Sequence, residues 1–199
     1  VPSVMLEIQR RFHESINRFP AKHFYGGKLI TAGVPKKRFE AGPLTDDQRF
    51  IMIHTDTPEH PTAIAENAGE TKIDIYLLRY LLQSLKAKPS EVQVLTPYRK
   101  QADYLRMQIR HNKIYDITVQ TVDGAQGQEA EYIIDSATRS NLQAQLGHTA
   151  DPRRVNVALT RCKVACIFVG NVTTLHWGDC YQVWGELRNE LYRHQAIFR

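Results

Sequence analysis

Residues 92–122 read Val92-Gln-Val-Leu-Thr-Pro-Tyr-Arg-Lys-Gln-Ala-Asp-Tyr-Leu-Arg-Met-Gln-Ile-Arg-His-Asn-Lys-Ile-Tyr-Asp-Ile-Thr-Val-Gln-Thr-Val122, and this order decides the fold. Val92-Gln-Val-Leu95 has the composition of a strand, 99–111 the length and polarity of a helix, and Ile117-Thr-Val-Gln-Thr-Val122 that of a second strand. The same alternation extends in both directions. Upstream, Phe50-Ile-Met-Ile-His54 is a short strand, and Asn67-Ala-Gly-Glu70 has the spacing of a capping box. The helix it opens is expected to place Ile73, Leu77, Tyr80, Leu81 and Leu85 on one face. Downstream come a strand at Tyr132-Ile-Ile-Asp135, a helix over 154–163, and the nearly all-apolar strand Ala165-Cys-Ile-Phe-Val169, as found when both sheet faces are covered. A charged amphipathic helix over 184–194 closes the chain. Strands alternating with helices predict an α/β fold with a mainly parallel β-sheet flanked by helices. Ligands of such sheets lie beyond the carboxyl ends of the strands. Those ends carry Thr96-Pro-Tyr-Arg99, Thr121-Val-Asp-Gly124 and Gly170-Asn171.

The chain has 199 residues, enough for one domain with a core of its own. Three cysteines exclude a disulfide framework and fit a reducing, intracellular setting, cytoplasmic or nuclear. No apolar run is long enough for a membrane span, and the N-terminus lacks the pattern of a signal peptide. Because the chain does not begin with Met, it is expected to be a processed or excised piece. A net charge of +5, from 26 Lys+Arg against 21 Asp+Glu, permits a polyanionic partner without requiring one. The stretch 31–49, with Gly33, Pro35, Gly42 and Pro43, is the most loop-like.

Three segments carry chemistry. Thr121-Val-Asp-Gly-Ala-Gln-Gly-Gln-Glu129 sets two glycines at a strand end, where backbone N–H groups approach an oxyanion closely; a tight solvated turn has the same composition. Asp151-Pro-Arg-Arg-Val-Asn-Val-Ala-Leu-Thr-Arg-Cys-Lys163 begins with a cap and a proline suited to a helix start. Its Arg154, Ala158 and Arg161 share a face, as they would on any cationic surface helix or on one that neutralises phosphate. Glu7-Ile-Gln-Arg-Arg-Phe-His-Glu14, followed by Phe19-Pro-Ala-Lys-His-Phe-Tyr-Gly-Gly-Lys-Leu29, reads alone as a helix and a turn.

In this fixed order, together with Val94-Leu-Thr-Pro-Tyr98 and Val169-Gly-Asn171, the segments resemble the second, C-terminal RecA-like motor domain of superfamily 1 helicases. The resemblance is to the branch of the nonsense-mediated-decay helicase and senataxin, and it covers roughly 5–171. It implies a RecA-like fold of the P-loop NTPase type without its own Walker A loop: motor domain 2 over 1–171, then a C-terminal helical extension over 172–199 of the same domain. Arg11 and Arg161 match the family's two phosphate-contacting arginines. Gln9, Arg10, Gln126, Gly127 and Glu129 match positions lining the nucleotide. Thr96, Pro97 and Tyr98 match a segment touching the nucleic-acid backbone, and Thr121 and Val122 the stretch linking that contact to the nucleotide. Three departures stand out: Arg10 in place of a tyrosine that packs on adenine, His13-Glu14 in place of His-Pro, and Asp135 where an apolar residue is expected. A buried Asp needs a partner, so Asp135 is expected at a strand edge or paired.

No Gly-x-x-x-x-Gly-Lys-Ser/Thr occurs in the chain. The resemblance therefore implies ATP with Mg²⁺ bound mainly by a first RecA-like domain of the same parent protein. That parent would be an ATP-dependent helicase acting on single-stranded RNA or DNA, whereas this stretch alone is expected to be inactive. The alternative is a non-catalytic nucleic-acid-binding or scaffold module of a degenerate helicase. No carboxylate cluster has metal-ligand spacing. Cys162, Cys166, His176 and Cys180 are ordered as in a zinc knuckle, but Cys162 is expected on the helix and Cys166 inside a buried strand, so no metal site is assigned.

Overall fold

A computed structural model describes residues 5–33, 39, 42–61, 65–178 and 180–199. Its centre is a six-stranded sheet in which every pairing is parallel. The elements run β1 (Ile8–Gln9), α1 (Glu14–Phe24), β2 (Ile30–Thr31), β3 (Phe50–His54), α2 (Ala68–Arg79), β4 (Val92–Thr96), α3 (Arg99–His111) and β5 (Thr118–Thr121). They continue with β6 (Ala130–Ser136), α4 (Pro152–Leu159), β7 (Cys162–Gly170), α5 (Val172–Trp177), α6 (Tyr181–Arg193) and β8 (Ile197–Phe198). The spatial order is β5-β4-β6-β7-β3-β8, so β4, β6, β7 and β3 lie inside the sheet. This explains the near-continuous apolar runs of β4 and β7, whose residues are buried on both faces. A separate parallel pair, β1 and β2, joins Ile8 to Ile30 and Gln9 to Thr31. Gly26 and Gly27, at φ +58° and +77°, make the turn that brings β2 back beside β1.

The α/β reading of the sequence holds, with local differences. Cys162 and Lys163 belong to β7, because the helix stops at Leu159 and Thr160 closes it with backbone bonds to Asn156 and Val157. Segment 172–199 contains two helices and a strand, β8, that pairs with β3. The capping box forms only by half. The Asn67 side chain accepts from the Gly69 and Glu70 amides, but the Asn67 amide donates to Gln101 Oε1 at 2.8 Å. Glu70 is drawn inward instead, accepting from the Ser136 hydroxyl at 2.8 Å and the Thr138 amide at 2.7 Å. The apolar face of α2 is also rotated: Ile75, Leu77, Leu78 and Leu81 are buried, while Ile73, Tyr80 and Leu85 pack at its margin. A π turn over Tyr80–Ser84, with the Leu85 amide bonded to the Tyr80 carbonyl, shifts the periodicity. Part of the predicted 31–49 loop, residues 34–38, 40 and 41, lies outside the described residues.

Asp135 overturns the expectation placed on it. It sits on β6 between β4 and β7, not at an edge, and its Oδ1 has no hydrogen-bond partner among the described residues. The surroundings include Val122, Val155, Phe168 and Trp184, while the nearby Arg154 is engaged by Asp123; burial pushes the Asp135 carboxyl up to about 8, so the buried group is accommodated by keeping its proton. On the opposite sheet face, burial likewise raises Glu70 and Asp74. In the unfolded chain these acids ionise near their ordinary values. Stability therefore falls as pH rises from about 4 to about 8, by up to about 1.4 kcal/mol per pH unit for Asp135. Asp135→Leu should raise the denaturation midpoint more at pH 8 than at pH 5. Equal gains at the two pH values in urea titrations would show that Asp135 is ionised in the folded protein.

Candidate functional site

The residues singled out in the sequence fall into two groups at opposite ends of the strands, an amino edge and a carboxyl edge of the sheet. The first lies where β6 and β7 begin, joined by the Ala130 amide donating to the Arg161 carbonyl at 3.2 Å. Gln9 builds its outer wall. Its Nε2 donates to the Phe12 carbonyl at 2.7 Å and the Thr31 hydroxyl at 2.5 Å, while its Oε1 accepts from the Arg11 and Phe12 amides at 2.8 and 3.0 Å. All of that amide's capacity is spent on holding a turn that presents Arg10 and Arg11. Arg11 Nε then donates to Glu129 Oε1 at 2.5 Å and Nη1 to the Thr160 carbonyl at 3.0 Å.

Arg161 approaches from the end of α4. Its Nε donates to the Val157 carbonyl at 3.2 Å and Nη1 to the Gln128 carbonyl at 3.4 Å. Burial lowers its pKa, and the neighbouring Arg11 charge lowers it further. Lys163 Nζ stands 3.6 Å from Glu129 Oε2. Arg11 and Lys163 thus converge on Glu129, Lys163 also lying 3.8 Å from Glu131 Oε1, with Arg161 close by and each guanidinium oriented by backbone carbonyls. This donor set is suited to a polyanion such as phosphate, which Arg recognises through its planar fork. Gln126 and Gly127 are exposed on the connection above it, Gly127 at φ +85° with open space where a Cβ would lie. Arg10 is exposed, its Nη1 beside Gly33.

The second group lies at the carboxyl edge. Tyr98 Oη donates to the Leu146 carbonyl at 2.6 Å and accepts from the His148 amide at 3.0 Å and Arg139 Nη1 at 3.3 Å. Pro97 and Thr121 are partly exposed. Thr96 and Val122 point inward: the Thr96 hydroxyl pairs with that of Thr138 at 3.0 Å, and Val122 is core. These two side chains therefore shape the edge rather than face solvent. Asp123 and Arg154 form a bidentate pair at 2.8 Å, which holds the Asp123 carboxyl below its usual range and raises Arg154. The expectation of one site beyond the carboxyl ends is thus corrected. The 122–129 connection leaves the carboxyl end of β5 and reaches the amino end of β6, carrying Glu129 across the sheet.

Several partners were not singled out from the sequence. Gln101, buried on α3, donates to the Asn67 carbonyl and to the Ser136 hydroxyl at 3.2 and 3.0 Å. Arg139 bridges Tyr98 to Glu59. Its position just after a strand end was the one available signal. Among the described residues no three His, Cys, Asp or Glu side chains converge to hold a metal ion, and no helix is long and apolar enough to cross a membrane.

Residues 1–173 match the family described as AAA domain. The chain is 32% identical over 213 residues to the regulator of nonsense transcripts 1 homolog of Drosophila melanogaster, covering 96% of this chain and 17% of that protein. It is 32% identical over 206 residues to helicase sen1 of Schizosaccharomyces pombe, covering 97% of this chain and 12% of that protein. The chain belongs to the superfamily 1 helicases, as their C-terminal helicase domain. A solved structure of the C-terminal domain of a possible DNA helicase from Lactobacillus plantarum WCFS1 shares the fold of this helicase domain, with TM-score 0.51 at 8% identity. The two overlap over 82% of this chain and 88% of that one. The helicase domain thus spans less than a fifth of both curated relatives.

Because the Gln9 amide organises the turn that carries Arg11, Gln9→Ala should destabilise the domain by about 1–2 kcal/mol. Amide hydrogen exchange at Arg11 and Phe12 should accelerate, while exchange in β4 and β6 follows only the global change. Unaltered exchange at Arg11 would remove Gln9 from this role.

Proposed function

We propose that this helicase domain supplies two arginine fingers to an ATP site completed by another domain of a parent protein, and grips single-stranded nucleic acid at its opposite edge. The observation that carries the reading is the pair Arg11 and Arg161. Two guanidinium groups repel one another; Glu129 offsets part of that repulsion, and the excess positive charge of the cluster suits it to a further anion such as phosphate. Bound ATP would supply the phosphoryl group and its charge. Arg11 and Arg161 would reach its phosphates, and Glu129 and the carbonyls of Gln128, Val157 and Thr160 would keep both forks aimed. Such preorganised donors lower the barrier because they need no reorganisation as charge develops. Magnesium ligands would come from the other domain, since among the described residues the carboxylates at the cluster, Glu129 and Glu131, already face Arg11 and Lys163.

At the carboxyl edge, Pro97, Tyr98, Thr121 and the adjacent backbone form a surface suited to phosphate and sugar contacts, which carry little sequence selectivity. The matched curated relatives include both a regulator of nonsense transcripts and a DNA polymerase alpha-associated DNA helicase, so single-stranded RNA and DNA are both reasonable substrates. A second reading, a scaffold that binds nucleic acid without turnover, draws on Arg10, whose exposed guanidinium replaces the aromatic ring expected against adenine.

An arginine finger contributes about 10³–10⁵-fold to phosphoryl-transfer rate. In a parent protein containing both motor domains, Arg161→Ala or Arg11→Ala should reduce ATP turnover by at least about a thousandfold, with nucleic-acid affinity changed by less than about threefold. The 199-residue chain alone should not turn over ATP. Unchanged turnover in both variants would reject the fingers, and absence of turnover in the wild-type parent would favour the scaffold.

A further inference from the structure

The topology creates a second opening at the carboxyl edge, away from Thr96 and Tyr98. The chain leaving β3 enters α2, on the sheet face where Glu70 meets Ser136. The chain leaving adjacent β7 enters α5 and α6, on the face where Trp184 packs 5.0 Å from Phe168. Neighbouring strands whose connections diverge to opposite faces leave a crevice, and open α/β sheets bind ligands at such switch points. A cavity of about 840 Å³ lies here, within the usual range of ligand pockets.

Its lining excludes some ligands and fits one. Glu59 and Arg139 neutralise each other at 2.8 Å, and Glu59 also accepts from the Ser140 amide at 2.8 Å. Arg139 also donates through Nη1 to Tyr98 Oη at 3.3 Å. With Arg139 paired to Glu59, and with Asp56 and His60 also in the lining, the cavity carries no excess of positive charge to attract phosphate. Besides these, the lining includes Gln143, Gln145 and Trp177, whose indole is 70% exposed. The Trp177 ring meets the His176 ring at 4.6 Å, which in turn meets Tyr181 at 5.2 Å. A neutral, planar, hydrogen-bonding ligand matches this chemistry. Arg139 is the wall shared between the cavity and the Tyr98 segment.

We propose that the cavity receives one unstacked base of the single strand held by the Tyr98 segment, with that base stacked on Trp177. The inference rests on the strand-gripping reading above and extends it by a base-sized subsite. Base–aromatic stacking contributes enough that its loss weakens binding by roughly tenfold or more. It also depends less on salt than phosphate contacts do.

The test titrates the 199-residue chain with oligouridylate and oligothymidylate, following tryptophan emission. Emission should be quenched at saturation, and Trp177→Ala should abolish the quenching and lower affinity by about tenfold. That gap should persist from about 50 mM to about 200 mM salt, and Trp177→Tyr should recover most of the affinity. Trp184 is buried and supplies a constant background. If the wild-type chain binds but Trp177→Ala binds equally well, with no quenching, the subsite is refuted and the grip stands. If the wild-type chain binds neither oligonucleotide, the grip itself fails and the subsite with it.

Discussion

The pairing of Arg11 with Arg161 is the constraint around which the amino edge is organised. Two like charges side by side raise the energy of the folded state, and burial of Arg161 adds to that cost. They stay together because each is tied to backbone that the sheet already fixes. Arg161 follows directly from the end of α4 into β7, and its carbonyl is bonded to the first residue of β6. Arg11 reaches the same place from the far N-terminal element, through Thr160 and Glu129. Rigid backbone acceptors leave the outer faces of the guanidinium groups available without letting them move apart. A loose pair of surface arginines would relax away from one another in solvent, and its charge would be screened within about 10 Å.

Two routes connect this cationic edge to the carboxyl edge. One is α4, which begins after Asp151 and ends beside Arg161. The other is 122–129, which replaces the usual crossover helix with a run of turns shorter than the dozen or so residues parallel strands normally need. Both start near Asp123 and Arg154 and both finish at the cluster of Arg11, Glu129 and Arg161. The Asp123–Arg154 pair ties them at the upper end. Being well exposed on the Asp123 side, that pair contributes at most about 1 kcal/mol. It sets the relative position of the two routes without locking them.

The α/β class, most of the strands and the long helices were legible in the sequence, because hydrophobic period and strand length are local properties. The arginine cluster was legible only through motif order, since Arg11 and Arg161 are distant in the chain and adjacent in space. Which sheet edge they occupy was not legible, because it depends on 122–129 crossing from one end of the sheet to the other. The inward turn of Glu70 was hidden for a related reason. Asn67 and Glu70 have capping-box spacing, and only the arrival of Gln101 and Ser136 from other elements diverts them. Asp135 was recognised as anomalous but assigned to the wrong remedy: a lone carboxyl in an apolar layer can keep its proton instead of finding a cation.

The buried acids have a consequence for the carboxyl edge. Glu70 accepts from both the Ser136 hydroxyl and the Thr138 amide, and Thr138 is held at φ +71°, a conformation unfavourable for a β-branched residue. The bonds to Glu70 and to the Thr96 hydroxyl offset that strain and aim the following residue, Arg139, between Glu59 and Tyr98. Arg139 in turn stands between the cavity it lines and Tyr98. Replacing Glu70 by an apolar residue would relieve the desolvation cost but release Thr138 from its left-handed conformation. Stability and local geometry therefore pull in opposite directions at this position: the buried carboxyl weakens the core and holds the backbone that carries Arg139 into the cavity wall.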